Sequence, residues 1–259
     1  MLKRVGIFAY GVVSYAVFFA TFLYAVGFIG NIFVPKSLDS AATGPLATAL
    51  LINAGLLGLF AVQHSLMARP WFKRAWTRIV PEPAERSTYV LFSSLCLIAL
   101  FAFWQPMGGV IWSVENPIAR QVIFDVFLLG FGIVLVSTFL INHFDLFGLR
   151  QVWLFLIGKP YTHLEFRTPL FYRYVRHPLY VGWLMAFWAT PTMTVAHLLF
   201  AVMTTGYILA AIRWEEKDLV MAHGEKYQNY RKNVPMLVPA TQGYVAQQTT
   251  EFRPKRATA

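Results

Sequence analysis

The sequence predicts an all-α integral membrane bundle of five or six transmembrane helices, ending in a helical hairpin and a polar cytoplasmic segment. Three observations carry that prediction. Apolar residues fill 57% of the 259 positions and charged residues only 13%. Uncharged apolar runs long enough to cross a bilayer recur along the chain. The 22 lysines and arginines are gathered almost entirely into alternate loops between those runs.

The first run, Val5 to Gly30, has no charge over 26 positions. A bilayer's hydrocarbon core asks for roughly 20 mostly apolar residues per helix, so this run suffices. It is too long for the apolar core of a secretory signal, and no small-x-small cleavage pattern precedes Asn31. It reads as a retained first helix. Further spans fall near 46–68, 87–104 and 121–141. The apolar stretch 179–212 is broken near Pro191 and reads as a helical hairpin. Its first arm, Leu179 to Thr190, is short for a full crossing, which makes it re-entrant or dependent on its flanks.

Orientation follows from the basic residues, because positively charged loops stay cytoplasmic. The segments before Val5, from Arg69 to Arg86, from Arg150 to Arg176 and from Arg213 onward hold 2, 5, 5 and 8 of them, 20 of the 22. Only Lys36 and Arg120 fall in outer loops. Both termini of this multi-pass protein are therefore expected in the cytoplasm. The chain reads as one membrane domain, 1–259, in three parts: transmembrane helices over 1–171, a C-terminal region over 172–239 and a disordered polar tail over 240–259.

The net charge of +10 does not point to nucleic acid, because the basic residues flank apolar runs and do not line a soluble groove. Membrane lipid is the expected neighbour. Cys96 is the only cysteine, so no intramolecular disulfide and no cysteine-based metal cluster can form. No His-x-x-x-His or His-plus-carboxylate ligand spacing occurs, and no metal is expected. No internal repeat with matching broken helices is visible, which counts against a transporter.

Three histidines fall at expected cytoplasmic helix ends: His64 in Gln63-His64-Ser65, His143 in Asn142-His143-Phe144-Asp145, and His177 in Arg176-His177-Pro178. Ionisable groups at membrane depth face a cavity or a partner, so three at one level suggest a polar pocket. The alternative is that each simply meets headgroups and water. Arg176 to Trp183 is the most specific string. Pro178 suits a helix's first turn, and Gly182 permits close approach by a backbone or a ligand. By itself the string also fits a basic membrane anchor. Farther on, Arg213 and Glu216 share a helix face. Tyr227 and Tyr230, following the carboxylates Glu215 and Glu216, either sit on a solvated surface helix or wall a nucleoside pocket.

Arg-His-Pro-x-Tyr-x-Gly at 176–182, a hairpin of about 30 residues, Glu-Glu-x-x-Leu at 215–219, Gly-x-x-Tyr-x-x-Tyr at 224–230 and Val-Pro at 234–235 resemble one C-terminal signature. It is that of the isoprenylcysteine carboxyl methyltransferase-like membrane methyltransferases. The resemblance covers about 172–239. One departure is His223, where the family more often has an aromatic residue. The strings Gln63 to Pro70, Glu85 to Tyr89 and Asn142 to Arg150 look like one branch in particular, the bacterial methanethiol S-methyltransferases, with a denitrification-associated membrane family close by.

The resemblance implies a bacterial inner-membrane enzyme that methylates a small thiol, methanethiol, with S-adenosylmethionine to give dimethyl sulfide. It implies that 172–239 is a cytoplasmic cofactor-binding segment in which His177, Tyr180, Glu216 and Tyr227 hold the cofactor, with Glu215 and Tyr230 beside them. Arg176 or Arg213 would meet the methionine carboxylate. A thiol attacks a methyl group well only as thiolate, so a proton acceptor is needed. His64 is the first choice by its depth, with His143 and Asp145 next. The competing readings are a denitrification-associated membrane protein, a methyltransferase of another substrate, a sterol-reductase-like membrane oxidoreductase and a non-enzymatic transporter or regulator.

Overall fold

A computed structural model describes residues 1–42 and 44–244. Its order is α1 (Leu2–Gly30), α2 (Leu46–Ala68), α3 (Pro70–Trp76), α4 (Glu82–Phe103), β1 (Val110–Ser113), α5 (Pro117–Ile141), α6 (His143–Leu146), α7 (Leu149–Leu156), α8 (Pro178–Trp188), β2 (Thr192–Thr194), α9 (Val195–His223) and α10 (Glu225–Asn233). Five of these, α1, α2, α4, α5 and α9, are long and apolar enough to cross a membrane. The all-α membrane bundle is thus as the sequence has it.

The closing hairpin forms, with unequal arms. At about 1.5 Å per residue, the 11-residue α8 reaches roughly half of a hydrocarbon core about 30 Å thick. Its sequence stops it: Ala189 leaves helical geometry ahead of Pro191, and a proline disfavours α conformation in the residue before it. The chain then enters β2, which pairs antiparallel with β1. This two-stranded ribbon caps one end of the bundle.

What holds α8 is α5. A Cβ built on Gly182 would lie 2.6 Å from the Gly130 carbonyl oxygen, and one on Gly130 would lie 2.7 Å from the Gly182 carbonyl oxygen. The two backbones touch, as small residues permit in membrane helix pairs. The open choice at Gly182 therefore resolves to a backbone and not a ligand. Gly182→Ala should destabilise the folded protein by about 1–3 kcal/mol, the usual overpacking cost, because neither contacting atom is a movable side-chain end. Thermal unfolding in detergent checks this, with Gly206→Ala, where a Cβ meets nothing within 4 Å, as the control.

The two ends of the bundle differ in chemistry. At the ribbon end, buried His197 reaches Asp39 (Nδ1 to Oδ2, 2.9 Å), and Thr194 and Asn31 also donate to that carboxylate. Burial pushes the Asp39 carboxyl up, and its bonds and charge interaction with His197, with help from Thr194 and Asn31, more than reverse this and hold it below the usual carboxylate range. The opposite end gathers Arg69, Arg86, Arg150 and Arg176, the last on α8's threshold and the others at the ends of α2, α4 and α7. Here it is called the basic end.

The stretch expected as a disordered tail starts in a fixed place. Ala240 and Tyr244 donate backbone hydrogen bonds to the carbonyls of Tyr174 and Arg173 at 2.8 Å each. The remainder of that stretch, 245–259, lies outside the described residues.

Candidate active site

The C-terminal strings meet at the basic end. Pro178 opens α8 and leaves Arg176 and His177 just outside it, while Glu215 and Glu216 ride on the last turns of α9. The Arg176 guanidinium donates to Glu216 (Nε to Oε1, 2.7 Å), and His177 Nε2 lies 3.1 Å from the same oxygen. Both sides of the Arg176–Glu216 pair are largely covered, 11% and 12% exposed. Arg176 also donates to the carbonyls of Arg231 and Val234. Its own backbone N–H bonds to Pro235, as that of His177 does to Met236. This knot ties the start of α8 to the end of α9 and to the chain beyond α10.

The expected helix-face partner of Glu216 is not its partner. Arg213 is exposed and makes no hydrogen bond or ion pair among the described residues. Glu216 is instead occupied from within by Arg176 and His177, so Glu215, about half exposed, is the carboxylate turned outward. Tyr180 donates to it at 2.9 Å.

Tyr227 and Tyr230 are both buried, 2% exposed, with Val234 and against Phe166, Leu219 and Val220. They are not on a solvated surface. Tyr230 spends its hydroxyl on the Tyr172 carbonyl. The Tyr227 hydroxyl is buried and has no partner among the described residues. Burial and the nearby Glu216 carboxylate raise its pKa, so it stays a phenol able to donate. His223, the departure from the family pattern, packs against Phe166 at 5.2 Å with the rings tilted and fills the place of a ring.

The three candidates for proton transfer are held by different partners. His143 is buried and enclosed by Tyr15, Phe139, Phe144 and Phe147, lying flat on Phe139 at 4.1 Å. Its nitrogens are held by Tyr15 (Nε2, 2.8 Å) and Thr138 (Nδ1, 2.8 Å), and burial lowers its pKa. Asp145 pairs with Arg150 at 2.8 Å and accepts from Tyr161 at 3.3 Å, fixing the α6–α7 corner. His64 makes no hydrogen bond to either among the described residues. It lies between Ser93 (Nδ1, 3.1 Å) and Tyr89, whose hydroxyl is 2.8 Å from Nε2 and 3.1 Å from Nδ1, with Phe60 stacked on the ring at 5.1 Å.

Sequence reasoning passed over Tyr89, Ser93 and Tyr207 as site residues. Tyr207, on α9, bonds Ser65 next to His64 at 3.1 Å. Its ring also meets Phe60, which stacks on His64, edge to face at 6.3 Å. Through Tyr207–Ser65 and the adjacent His64–Tyr89 contact, polar groups link α9, which carries Glu215 and Glu216, to α2 and α4. The available signal was polar spacing: Tyr89 and Ser93 are four apart on one face of an apolar helix, and polar groups within a span face partners.

One cleft adjoins this region and another lies at the far end of the bundle. One of about 320 Å³, lined by Leu59, Gln63, Met67, Phe72, Trp76 and Phe92, is apolar and opens between α2, α3 and α4 beside the His64 turn. Another, of about 730 Å³, lies at the ribbon end by Asp39 and Arg120, away from every site residue expected from the sequence.

Among known proteins, the chain is 63% identical to the methanethiol S-methyltransferase of Crocosphaera subtropica, over 92% of this chain and 93% of that protein. It is 52% identical to the methanethiol S-methyltransferase of Mycobacterium tuberculosis, over 92% of this chain and 98% of that protein. Nurim of Xenopus laevis is 31% identical over 64% of this chain and 61% of its own length. No family model matches. No solved structure matches either.

Proposed function

The chain belongs to the methanethiol S-methyltransferase family, and on that premise we propose that it methylates methanethiol to dimethyl sulfide with S-adenosylmethionine, at a basic end that faces the cytosol of a bacterial inner membrane. The observation that carries the location is the contact of Tyr207, on the helix that bears Glu215 and Glu216, with Ser65 beside His64. It connects a segment suited to a charged cofactor with a histidine suited to a thiol.

When bound, S-adenosylmethionine supplies an electrophilic methyl group on a sulfonium. The residues present fit such a group. The partnerless, buried Tyr227 hydroxyl lies near Glu216 and Arg176 and would bond a ribose or amino group. Glu215 offers an outward carboxylate for the hydroxyls or the amino group. Tyr180 presents an aromatic face of the kind that attracts a cation, and exposed Arg213 is free for a carboxylate. Glu216 acts by holding Arg176 and His177 in place, and Tyr230 by anchoring α10 to Tyr172.

The thiol has to lose its proton, and among the histidines His64 is the acceptor this reading selects. His143 is wrapped in aromatic rings, and Asp145 is spent on Arg150. A small apolar thiol can arrive from the lipid by way of the apolar cleft beside Gln63. A site that excludes water strips the thiolate of its hydration and fixes its line of approach. The orientation is supported by the basic residues of this end. Cysteine labelling at Ala41 and Asn116 only from inside would reverse it.

Thermal stabilisation by S-adenosylhomocysteine, with none by a reduced nicotinamide dinucleotide, together with transfer of labelled methyl to methanethiol across a thiol panel, tests the reading. Stabilisation by the dinucleotide alone would overturn it. Tyr227→Phe should weaken S-adenosylhomocysteine binding by about two- to tenfold, the worth of one neutral hydrogen bond of about 0.5–1.5 kcal/mol. The ligand-free protein should lose no stability, since the hydroxyl has no partner there to lose. Unchanged affinity measured by calorimetry would remove Tyr227 from the binding site.

A further inference from the structure

We propose that Tyr89, and not His64 itself, is the group that meets the thiol, taking its proton while passing its own phenolic proton to His64. The inference rests on the proposed methyl transfer and assigns the atom at which the substrate is ionised.

The hydrogen-bond inventory fixes the direction. The Ser93 hydroxyl donates its one proton to the Tyr89 carbonyl at 2.9 Å, so toward His64 its oxygen can only accept. His64 Nδ1, 3.1 Å away, therefore carries the ring proton, and Nε2 is left with a lone pair. The Tyr89 hydroxyl, 2.8 Å from Nε2 and 3.1 Å from Nδ1, is the proton donor within reach of that lone pair. Neither nitrogen of His64 is then free for a thiol, and Phe60 covers the ring. A direct His64–thiol contact would require both bonds to be broken first.

Tyr89 has what His64 lacks. Its oxygen, having donated to Nε2, keeps acceptor capacity. Its partner His64 sits between Phe60 and Ser65, both in contact with Tyr207 on α9, the helix that carries Glu215 and Glu216. The Arg86 guanidinium lies 4.9 Å from the Tyr89 ring centre and favours negative charge at the phenol and at a neighbouring thiolate. His143 provides the internal comparison. It too is held between a back-bonded hydroxyl, Thr138, and a tyrosine, Tyr15, but Tyr15 packs among Phe18, Phe19 and Phe147 and has no cofactor segment before it. The same arrangement is structural on α5 and placed for chemistry on α4.

The step balances as a two-proton shift followed by displacement. The thiol S–H bond breaks as an O–H bond forms at Tyr89 Oη, while the original Oη–H bond breaks and an N–H bond forms at His64 Nε2. A thiolate and an imidazolium result. The thiolate lone pair then forms the new S–C bond as the methyl's bond to the sulfonium donor breaks, that electron pair remaining on the donor's sulfur. After the sulfide leaves, the proton on Nε2 returns through Oη to entering water.

The experiment compares wild type, Tyr89→Phe, His64→Ala and the double variant of the full chain, with kcat measured across pH and S-adenosylhomocysteine affinity measured alongside. Tyr89→Phe should lower kcat about a hundredfold to a thousandfold at neutral pH, the lower half of what a placed proton acceptor contributes. Affinity should be unchanged, and the deficit should shrink at alkaline pH. Because the two groups act in series, the double variant should be no slower than the slower single variant. Nitrogen NMR of ring-labelled histidine in the resting protein should find His64 protonated at Nδ1 and bare at Nε2. A full rate in Tyr89→Phe, losses that multiply in the double variant, a pH-independent deficit, or the opposite tautomer would each overturn the relay. A wild type that methylates no thiol would overturn the proposed function as well, which separates the two failures.

Discussion

Arg176→Met should destabilise the basic end by about 3–5 kcal/mol, the usual result of leaving one charge of a buried pair without its partner. The stranded charge would be Glu216, 12% exposed, left among the described residues with His177 and, at 4.0 Å, the more exposed Arg231. Two further bonds to the carbonyls of Arg231 and Val234 would go at the same time, so α10, which carries the buried Tyr227, should loosen as well. The measurement is unfolding in detergent with and without S-adenosylhomocysteine, and the variant should lose both stability and the ligand's added protection. Adding Glu216→Gln to Arg176→Met should restore part of the loss, because removing both charges of a buried pair is far cheaper than removing one. If the second substitution restores nothing, the pair is not what holds this end together.

How far such a site can be read from sequence is visible in that knot. The spans were legible because lipid imposes a length and an apolar composition that few other environments demand: Val5 to Gly30 read correctly within α1, and 46–68 matches α2 residue for residue. The break near Pro191 was legible for a similar reason, since proline constrains its own backbone. Partners across the bundle were not. Arg213 and Glu216 share a helix face, but periodicity cannot say which cation arrives from another element, and Arg176 comes from 40 positions away. The β1–β2 ribbon was invisible because strands of four and three residues carry no pattern. Short helices such as α3 and α7 were read as loop because they lie among charged and polar residues without the length to announce themselves.

Within the site, the histidines were legible and their roles were not. His64 and His143 are each followed or preceded by polar residues at an expected helix end, so sequence ranks them by depth alone. Burial separates them: one is closed in by four rings, and the other is tied to a tyrosine and adjoins Ser65, which α9 contacts through Tyr207. Tyr89 stood in a string carrying the branch resemblance, yet it sits in the first turns of an apolar helix, where a tyrosine also serves as an ordinary interfacial anchor.

The effect of losing His64 separates chemistry from architecture. As the final acceptor of the thiol's proton, it should be worth roughly two to four orders of magnitude in methylation rate, the usual contribution of a positioned base, so His64→Ala should fall by that much at neutral pH. S-Adenosylhomocysteine affinity should hardly change, since His64 makes its contacts to Ser93, Tyr89 and Phe60 and none to the C-terminal knot. The deficit should narrow as pH rises, because more of the thiol then arrives as thiolate and needs no acceptor. The sign matters: a histidine that only packs between α2 and α4 would lose activity through unfolding, and alkali would not restore it. His143→Ala serves as the contrast, with reduced stability from the emptied aromatic enclosure and no alkaline recovery. A His64→Ala enzyme with near-normal rate, beside a His143→Ala or Asp145→Ala enzyme that is folded, inactive and rescued by alkali, would move the acceptor to the end of α5 and overturn both the assignment and the relay built on it.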